Sequence, residues 1–276
     1  MYIHMNTVKR RLIACLLWNN GILVQSKNFK HTNAVATPSI AIEFCNSWAI
    51  DEIILLNVSA QATSRVQFLE DLKTISKYCF IPLSAGGWVT SIHEVKELIN
   101  NGADKVVINT EAYLSPHLIE AVACHFGRQC IVVSIDYKQE EEGPCVYINR
   151  GATKISVSPL EWAQRVELLG AGEIFLTSID RDGLKKGYDL TVLKQVADGV
   201  SIPVIASGGV GELHHFLEGI TLGNADAVSA ANIFHYYEQC SKKVKNYLYV
   251  QGVNVRPPEF YRVPFLVKNK RSQEIL

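Results

Sequence analysis

Ile202-Pro203-Val204-Ile205-Ala206-Ser207-Gly208-Gly209 restates, half a chain later, Ile81-Pro82-Leu83-Ser84-Ala85-Gly86-Gly87. Gly208 lies 122 residues after Gly86, and Glu173, in Gly172-Glu173-Ile174-Phe175-Leu176, lies 121 residues after Glu52, in Asp51-Glu52-Ile53-Ile54-Leu55. Each Gly-Gly is followed by a helical pattern and then by Asn101-Gly102-Ala103-Asp104-Lys105-Val106 or Gly223-Asn224-Ala225-Asp226-Ala227-Val228. The chain therefore reads as two copies of one half-length unit. Further out, short runs rich in Ile, Val and Leu recur at 12–16, 52–58, 80–85, 105–109, 131–135, 173–179, 204–207 and 227–230. Unbroken apolar runs are what strands covered on both faces look like, and amphipathic stretches such as 91–99 and 160–169 lie between them. Eight strands alternating with helices in two matched halves predict an α/β chain folded as a (β/α)8 TIM barrel with half-barrel internal duplication. An open doubly wound sheet would accommodate the alternation but gives no reason for the repeat.

The 276 residues, 48% of them hydrophobic, suffice for one domain of this kind. Lys+Arg and Asp+Glu balance at 27 each, which disfavours nucleic acid and anionic membrane as partners. Seven cysteines, at 15, 45, 79, 124, 130, 145 and 240, show neither Cys-x-x-Cys nor regular spacing with histidine. They read as reduced thiols of a cytoplasmic protein. The apolar run after Lys9, Arg10 and Arg11 is about five residues, too short for a signal peptide, and no stretch approaches the ~18 to 20 of a membrane span.

Barrel enzymes do their chemistry at the C-terminal ends of the strands. Ser207-Gly208-Gly209-Val210-Gly211 follows the seventh predicted strand and Asn232 follows the eighth, the usual place for a phosphate held by backbone N–H groups. A tight turn requiring positive φ is the plainer reading of the same glycines. In the other half, Trp88 follows Gly86-Gly87 and either caps the barrel mouth by packing or closes a second phosphate site. Asp136 ends the fifth strand and Asp182 follows the sixth. Either could serve as a general acid or base. A cap or a pairing with Lys138 would equally account for Asp136, and the Asp182-Gly183 turn for Asp182. At the opposite end, Arg11, Glu52, Lys105 and Glu173 stand at the starts of strands one, two, four and six. They could form an ion-paired ring around the axis, or ordinary bottom-rim salt bridges. His214 and His215 diverge by ~100° on a helix and are not expected to share a metal, and no motif implies a cofactor.

Taken together, Arg11 to Leu16, Gly102 to Thr110, Gly170 to Gly183, Ala206 to Gly211 and Gly252 to Arg256 resemble the HisF family, the cyclase subunits of imidazole glycerol phosphate synthase. The resemblance runs from about Lys9 to Arg256 and implies one domain over 1–258, with 259–276 as a flexible tail. It also implies a glutaminase docked at the barrel base near Asp104, an ammonia gate of Arg11, Glu52, Lys105 and Glu173, and an elongated bis-phosphorylated substrate. The substrate and phosphate positions map to Asn109, Thr110, Thr177, Gly183, Ser207, Gly208, Gly209 and Asn232.

Of the two aspartates that the family uses for catalysis, Asp136 matches one and Leu17 occupies the position of the other. Other departures surround the same end: Trp88 replaces a glycine, Gln25 a loop lysine and Asn57 a strand-two aspartate. The chain is thereby most similar to the HisF-like paralogues of surface-polysaccharide pathways. These work with a HisH-like glutaminase and an ATP-dependent sugar amidotransferase that makes acetamidino sugars. The alternatives are a complete cyclase of histidine biosynthesis and a structural activator of a glutaminase that conducts nothing.

Overall fold

Residues 8–47, 49–235 and 240–257 are described by the computed structural model. The strands are β1 (Arg11–Asn19), β2 (Ile22–Lys27), β3 (Lys30–Ala36), β4 (Glu52–Asn57), β5 (Leu83–Gly86), β6 (Lys105–Ile108), β7 (Ile131–Glu140), β8 (Gly143–Ile148), β9 (Thr153–Lys154), β10 (Glu173–Ser178), β11 (Val204–Ser207) and β12 (Ala227–Ala230). β1, β4, β5, β6, β7, β10, β11 and β12 pair in parallel in that order, and β12 returns to β1. The predicted eight-stranded barrel is therefore closed, not an open sheet.

Helices cover it: α1 (Pro38–Ser47), α2 (Arg65–Ser76), α3 (Ile92–Asn100), α4 (Thr110–Leu114), α5 (His117–Phe126), α6 (Pro159–Leu169), α7 (Leu190–Gly199), α8 (Leu213–Thr221) and α9 (Cys240–Val250). Two of them begin with reciprocal Ser–Glu caps. Ser91 Oγ accepts from Glu94 N while Glu94 accepts from Ser91 N, and Ser158 and Glu161 repeat the arrangement at α6. Such a pair satisfies two backbone donors that a helix start leaves open.

Strand alternation divides the core into two layers. Residues facing outward pack under the helices. Ile13, Cys15, Ile54, Val107, Val132, Phe175, Ile205 and Ala227 face inward and fill the barrel. Trp18 belongs to the outer layer, where its ring meets Phe68 edge-on at 5.2 Å and its Nε1 donates to Asp71. Leu17, its neighbour, therefore points toward the axis.

The ladders also define how the halves correspond. Ile13 pairs with Glu52 and Val132 with Glu173, so Leu17, paired with Leu56, is the counterpart of Asp136, paired with Thr177. Ile54 pairs with Ser84 and Phe175 with Ile205, which makes Gly87 the counterpart of Gly208 and Trp88 that of Gly209. The Gly86–Gly208 match read from the sequence is thus one residue off.

Two further differences from the sequence reading concern the strands. The third barrel strand starts at Leu83, not Phe80, because Pro82 has no N–H to give a ladder and Phe80 is exposed. β7 runs past the rim to Glu140 and turns back through β8, while β2 and β3 form a second hairpin after β1. The tail expected at 259–276 lies outside the described residues. No helix among the described residues is long and apolar enough to cross a membrane.

Candidate functional site

At the N-terminal end of the strands, the four charged residues form a closed ring. Arg11 Nη1 lies 2.8 Å from Glu52 and 2.9 Å from Glu173, and Lys105 Nζ lies 2.9 Å from Glu52 and 3.0 Å from Glu173. Each cation bridges both carboxylates, and Ser84 Oγ donates to Glu52 at 3.0 Å. Burial opposes the Arg11 charge, but Glu173 and Glu52 outweigh it and raise its pKa further. Above this ring the axis is apolar, so an ion that passed the ring would lose its hydration without replacement. A small neutral molecule gives up far less. Asp104, expected near a partner, is exposed at this end and accepts from Leu83 N at 2.8 Å. This contact closes the start of β5 whatever else Asp104 does.

At the C-terminal end, the inward positions split into two arcs. Asn109, Asp136, Thr177 and Ser207 are polar and lie on adjacent strands. Ala231, Leu17 and Leu56, at the ends of β12, β1 and β4, are apolar and packed on the barrel interior. Asp136 is buried, and accepts from Asn109 Nδ2 at 3.0 Å and Ser134 Oγ at 3.2 Å. Burial pushes its pKa up to about 7; the Ser134, Asn109 and Thr177 side chains hold it down while Asp182 pushes it up. A carboxyl that changes state near neutral pH suits general acid or base catalysis. Sequence reasoning missed Ser134, although it lies two residues before Asp136 and so shares its face.

Asp182 is engaged by the β2–β3 hairpin, a role its sequence position did not announce. Its Oδ2 accepts from Ser26 Oγ at 2.5 Å and Phe29 N at 3.1 Å, and its carbonyl accepts from Asn28 N at 3.0 Å. These bonds pin the β2–β3 hairpin over the mouth. Asn232 Nδ2 adds a bond to Ser26 O at 2.8 Å. Asn57, for its part, faces the loop and not the axis, bonding Ser59 N and Ser64.

Beside this clamp is a shallow pocket, open to solvent, whose wall includes Gly183, Ser207, Gly208, Gly209, Ser229 and Asn232. Gly183, Gly208 and Gly209 have φ of +70°, +89° and +104°. A Cβ on Gly209 would lie 2.2 Å from Gly187 O, so glycine is required there by the packing itself. Among the described residues, the buried Ser229 Oγ and Asn232 Oδ1 have no hydrogen-bond partner. Thr110, by contrast, accepts from Asn149 N at 2.9 Å and is committed to the β8–β9 loop.

The chain matches the family profile described as Histidine biosynthesis protein over residues 11–239. It is 42% identical, over 251 residues, to the imidazole glycerol phosphate synthase subunit HisF of Clostridium botulinum strain Okra / Type B1. The match covers 90% of this chain and 99% of that one, and the protein of the same name from strain Kyoto / Type A2 matches equally. The chain belongs to the HisF family. Against that background the ring is complete, whereas the mouth is half apolar. Its HisF relatives are named as subunits of a synthase, and the exposed Asp104 lies at the ring end.

The expectation about the histidines needs one correction. His214, His215 and Glu218 do bring possible ligand atoms within 4.8 Å of one another, the two rings meeting edge-on. What argues against a metal is bonding, not divergence: His215 Nδ1 accepts from Gly211 N and Glu212 N. That fixes the ring proton on Nε2 and leaves no lone pair for an ion.

Proposed function

We propose that this chain pairs at its ring end with a HisH-like glutaminase and passes ammonia along the barrel to an ATP-dependent sugar amidotransferase of surface-polysaccharide (acetamidino sugar) biosynthesis, with cyclase chemistry lost or impaired. The observation that carries this reading is the pair of Leu17 and Asp136. They occupy equivalent places in the two halves, and only one can exchange a proton. Loss of such a group removes the ~100-fold to 10,000-fold that acid–base catalysis supplies. The complete ring and the apolar axis support retained passage of a neutral molecule. The resemblance to polysaccharide-pathway paralogues supports the recipient, and the free cysteines support a cytoplasmic setting.

A second reading has its own support. The relatives are named for imidazole glycerol phosphate synthase, which favours a cyclase of histidine biosynthesis working through Asp136 alone. Turnover of the open-chain bis-phosphorylated ribulosyl substrate under saturating ammonium separates the two, because no glutaminase is then needed. Turnover within about tenfold of a family member with both aspartates would overturn the ammonia-delivery reading. Negligible turnover with glutaminase binding intact supports it. A Lys105→Met variant that leaves glutamine-dependent sugar amidation unchanged would show instead that the barrel only activates its partner.

A further inference from the structure

The two halves differ in more than one aspartate, and the difference bears on the ligand. We infer that the barrel mouth holds a single anion, so that its ligand is a monophosphorylated molecule whose far end is uncharged. This goes beyond ammonia delivery and stands on the mouth alone.

The cradle in the second half offers close backbone approach at Gly208 and Gly209, the Ser229 hydroxyl and the Asn232 carbonyl oxygen. Ser229 is fully buried and lines the pocket, and neither its Oγ nor the buried Asn232 Oδ1 has a hydrogen-bond partner among the described residues. An unpaired buried polar atom costs about 1–3 kcal/mol, which a bound group can recover. Ser229 can donate to a phosphate oxygen, and the one hydroxyl of a singly protonated phosphate can donate to Asn232 Oδ1, so a phosphate monoester in its monoanionic form satisfies both.

Each of these elements has a counterpart in the first half that is removed or already engaged. Gly209 corresponds to Trp88. Ser84 pairs with Lys105 and Ile205 with Ala227, so Ser229 corresponds to Val107 and Asn232 to Thr110. Val107 is apolar, and Thr110 is bonded to Asn149 N at 2.9 Å. Trp88 is locked in place at φ +57°: its Nε1 donates to Ser59 O at 3.1 Å, its carbonyl accepts from Arg65 at 3.2 Å, and the Arg150 guanidinium lies 5.7 Å from its ring centre. Arg150, a cation that could hold an anion here, donates to the same Ser59 carbonyl at 3.4 Å. Beyond Trp88 the mouth continues into the apolar arc of Leu56, Leu17 and Ala231, where an uncharged body is tolerated and a second phosphate is not.

Calorimetric titration of the full chain with inorganic phosphate, ribose 5-phosphate and ribulose 1,5-bisphosphate tests this. One site per chain is expected, with the bisphosphate binding within about threefold of the monophosphate. Asn232→Asp, which places a like charge against the anion, is expected to weaken all three by about tenfold or more with thermal unfolding unchanged. If that variant does not fold, Ser229→Ala reads the same wall without adding charge. Two sites per chain, a bisphosphate preference above about tenfold, a site insensitive to both variants, or no binding of any probe would overturn the inference. No ammonia, partner or turnover enters this titration. Its failure would leave ammonia delivery standing, and a failure of ammonia delivery would not touch the anion count.

Discussion

Asp136→Asn removes a charge from the barrel mouth while preserving shape, and its effect on stability should depend on pH in a defined direction. In the folded chain the Asp136 pKa is pushed up from an ordinary 3.8 to about 7, chiefly by burial. Between those values the folded state holds a proton that the unfolded state releases, so wild-type stability falls as pH rises through that window. The loss is complete above the folded pKa and absent below the unfolded one. A difference of about 3 pKa units at about 1.36 kcal/mol each sets a ceiling of about 4 kcal/mol, which local relaxation and water entry reduce to about 2. The asparagine cannot ionise. Its oxygen still accepts from Asn109 Nδ2, and its amide can donate to Ser134 Oγ, so the existing hydrogen bonds have replacements.

Urea unfolding of both proteins at about pH 4.5 and pH 8 measures the effect, because titrating groups that do not interact with Asp136 cancel in the difference between them. The variant should gain about 2 kcal/mol relative to wild type on going from the lower to the higher pH. A difference that stays constant, or that shifts the other way, would refute the claim that the mouth withholds water from this carboxyl.

Three other predictions follow from contacts already described. Lys105→Met leaves Arg11 alone against Glu52 and Glu173, and should destabilise the chain by about 3 kcal/mol in urea unfolding; a loss below about 1 would mean the ring behaves as a solvated surface network. Asp182→Asn weakens the clamp on Ser26 and Phe29, so trypsin should cut at Lys27 or Lys30 about tenfold faster with little change in Tm; unchanged cleavage would show that the hairpin holds itself. Ser91→Ala breaks the reciprocal cap of α3 and should cost about 1 kcal/mol, whereas an effect below a few tenths would mean that water replaces it.

The barrel was legible because its strands are covered on both faces and its halves repeat, two properties written directly into the order of apolar residues. The ring was legible for a related reason: a charge at the first position of a buried strand has few places to go except the rim. The hairpins were not. The 22–36 segment owes its position to Ser26, Asn28 and Phe29 meeting Asp182, a contact between residues about half the chain apart that no local pattern announces. The clamp at Asp182 was hidden for the same reason, since Asp-Gly after a strand suits a catalytic rim and a turn equally, and the clamp needs the hairpin to be seen. The correspondence of Trp88 with Gly209 was hidden by the shared Gly-Gly, whose obvious alignment is one residue from the one the ladders impose.

The ladders also explain how the mouth can differ between the two halves while the ring stays closed. Of the four ring charges, Arg11, Glu52 and Lys105 come from the first half and only Glu173 from the second. The mouth is the reverse: Asp136, Thr177, Ser207, Gly208, Gly209 and Ser229 come from the second half, and Asn109 from the first. Between the two ends lies the apolar layer of Ile13, Ile54, Val107, Val132, Phe175, Ile205 and Ala227, which separates their charges. Leu17 and Arg11 share β1 but sit at opposite ends of that layer. A carboxylate at position 17 would need hydration at the mouth, whereas leucine there needs none and touches no partner of Arg11. A duplicated barrel divided in this way can give up the chemistry of one half's mouth at little cost to the ring that the same half supplies.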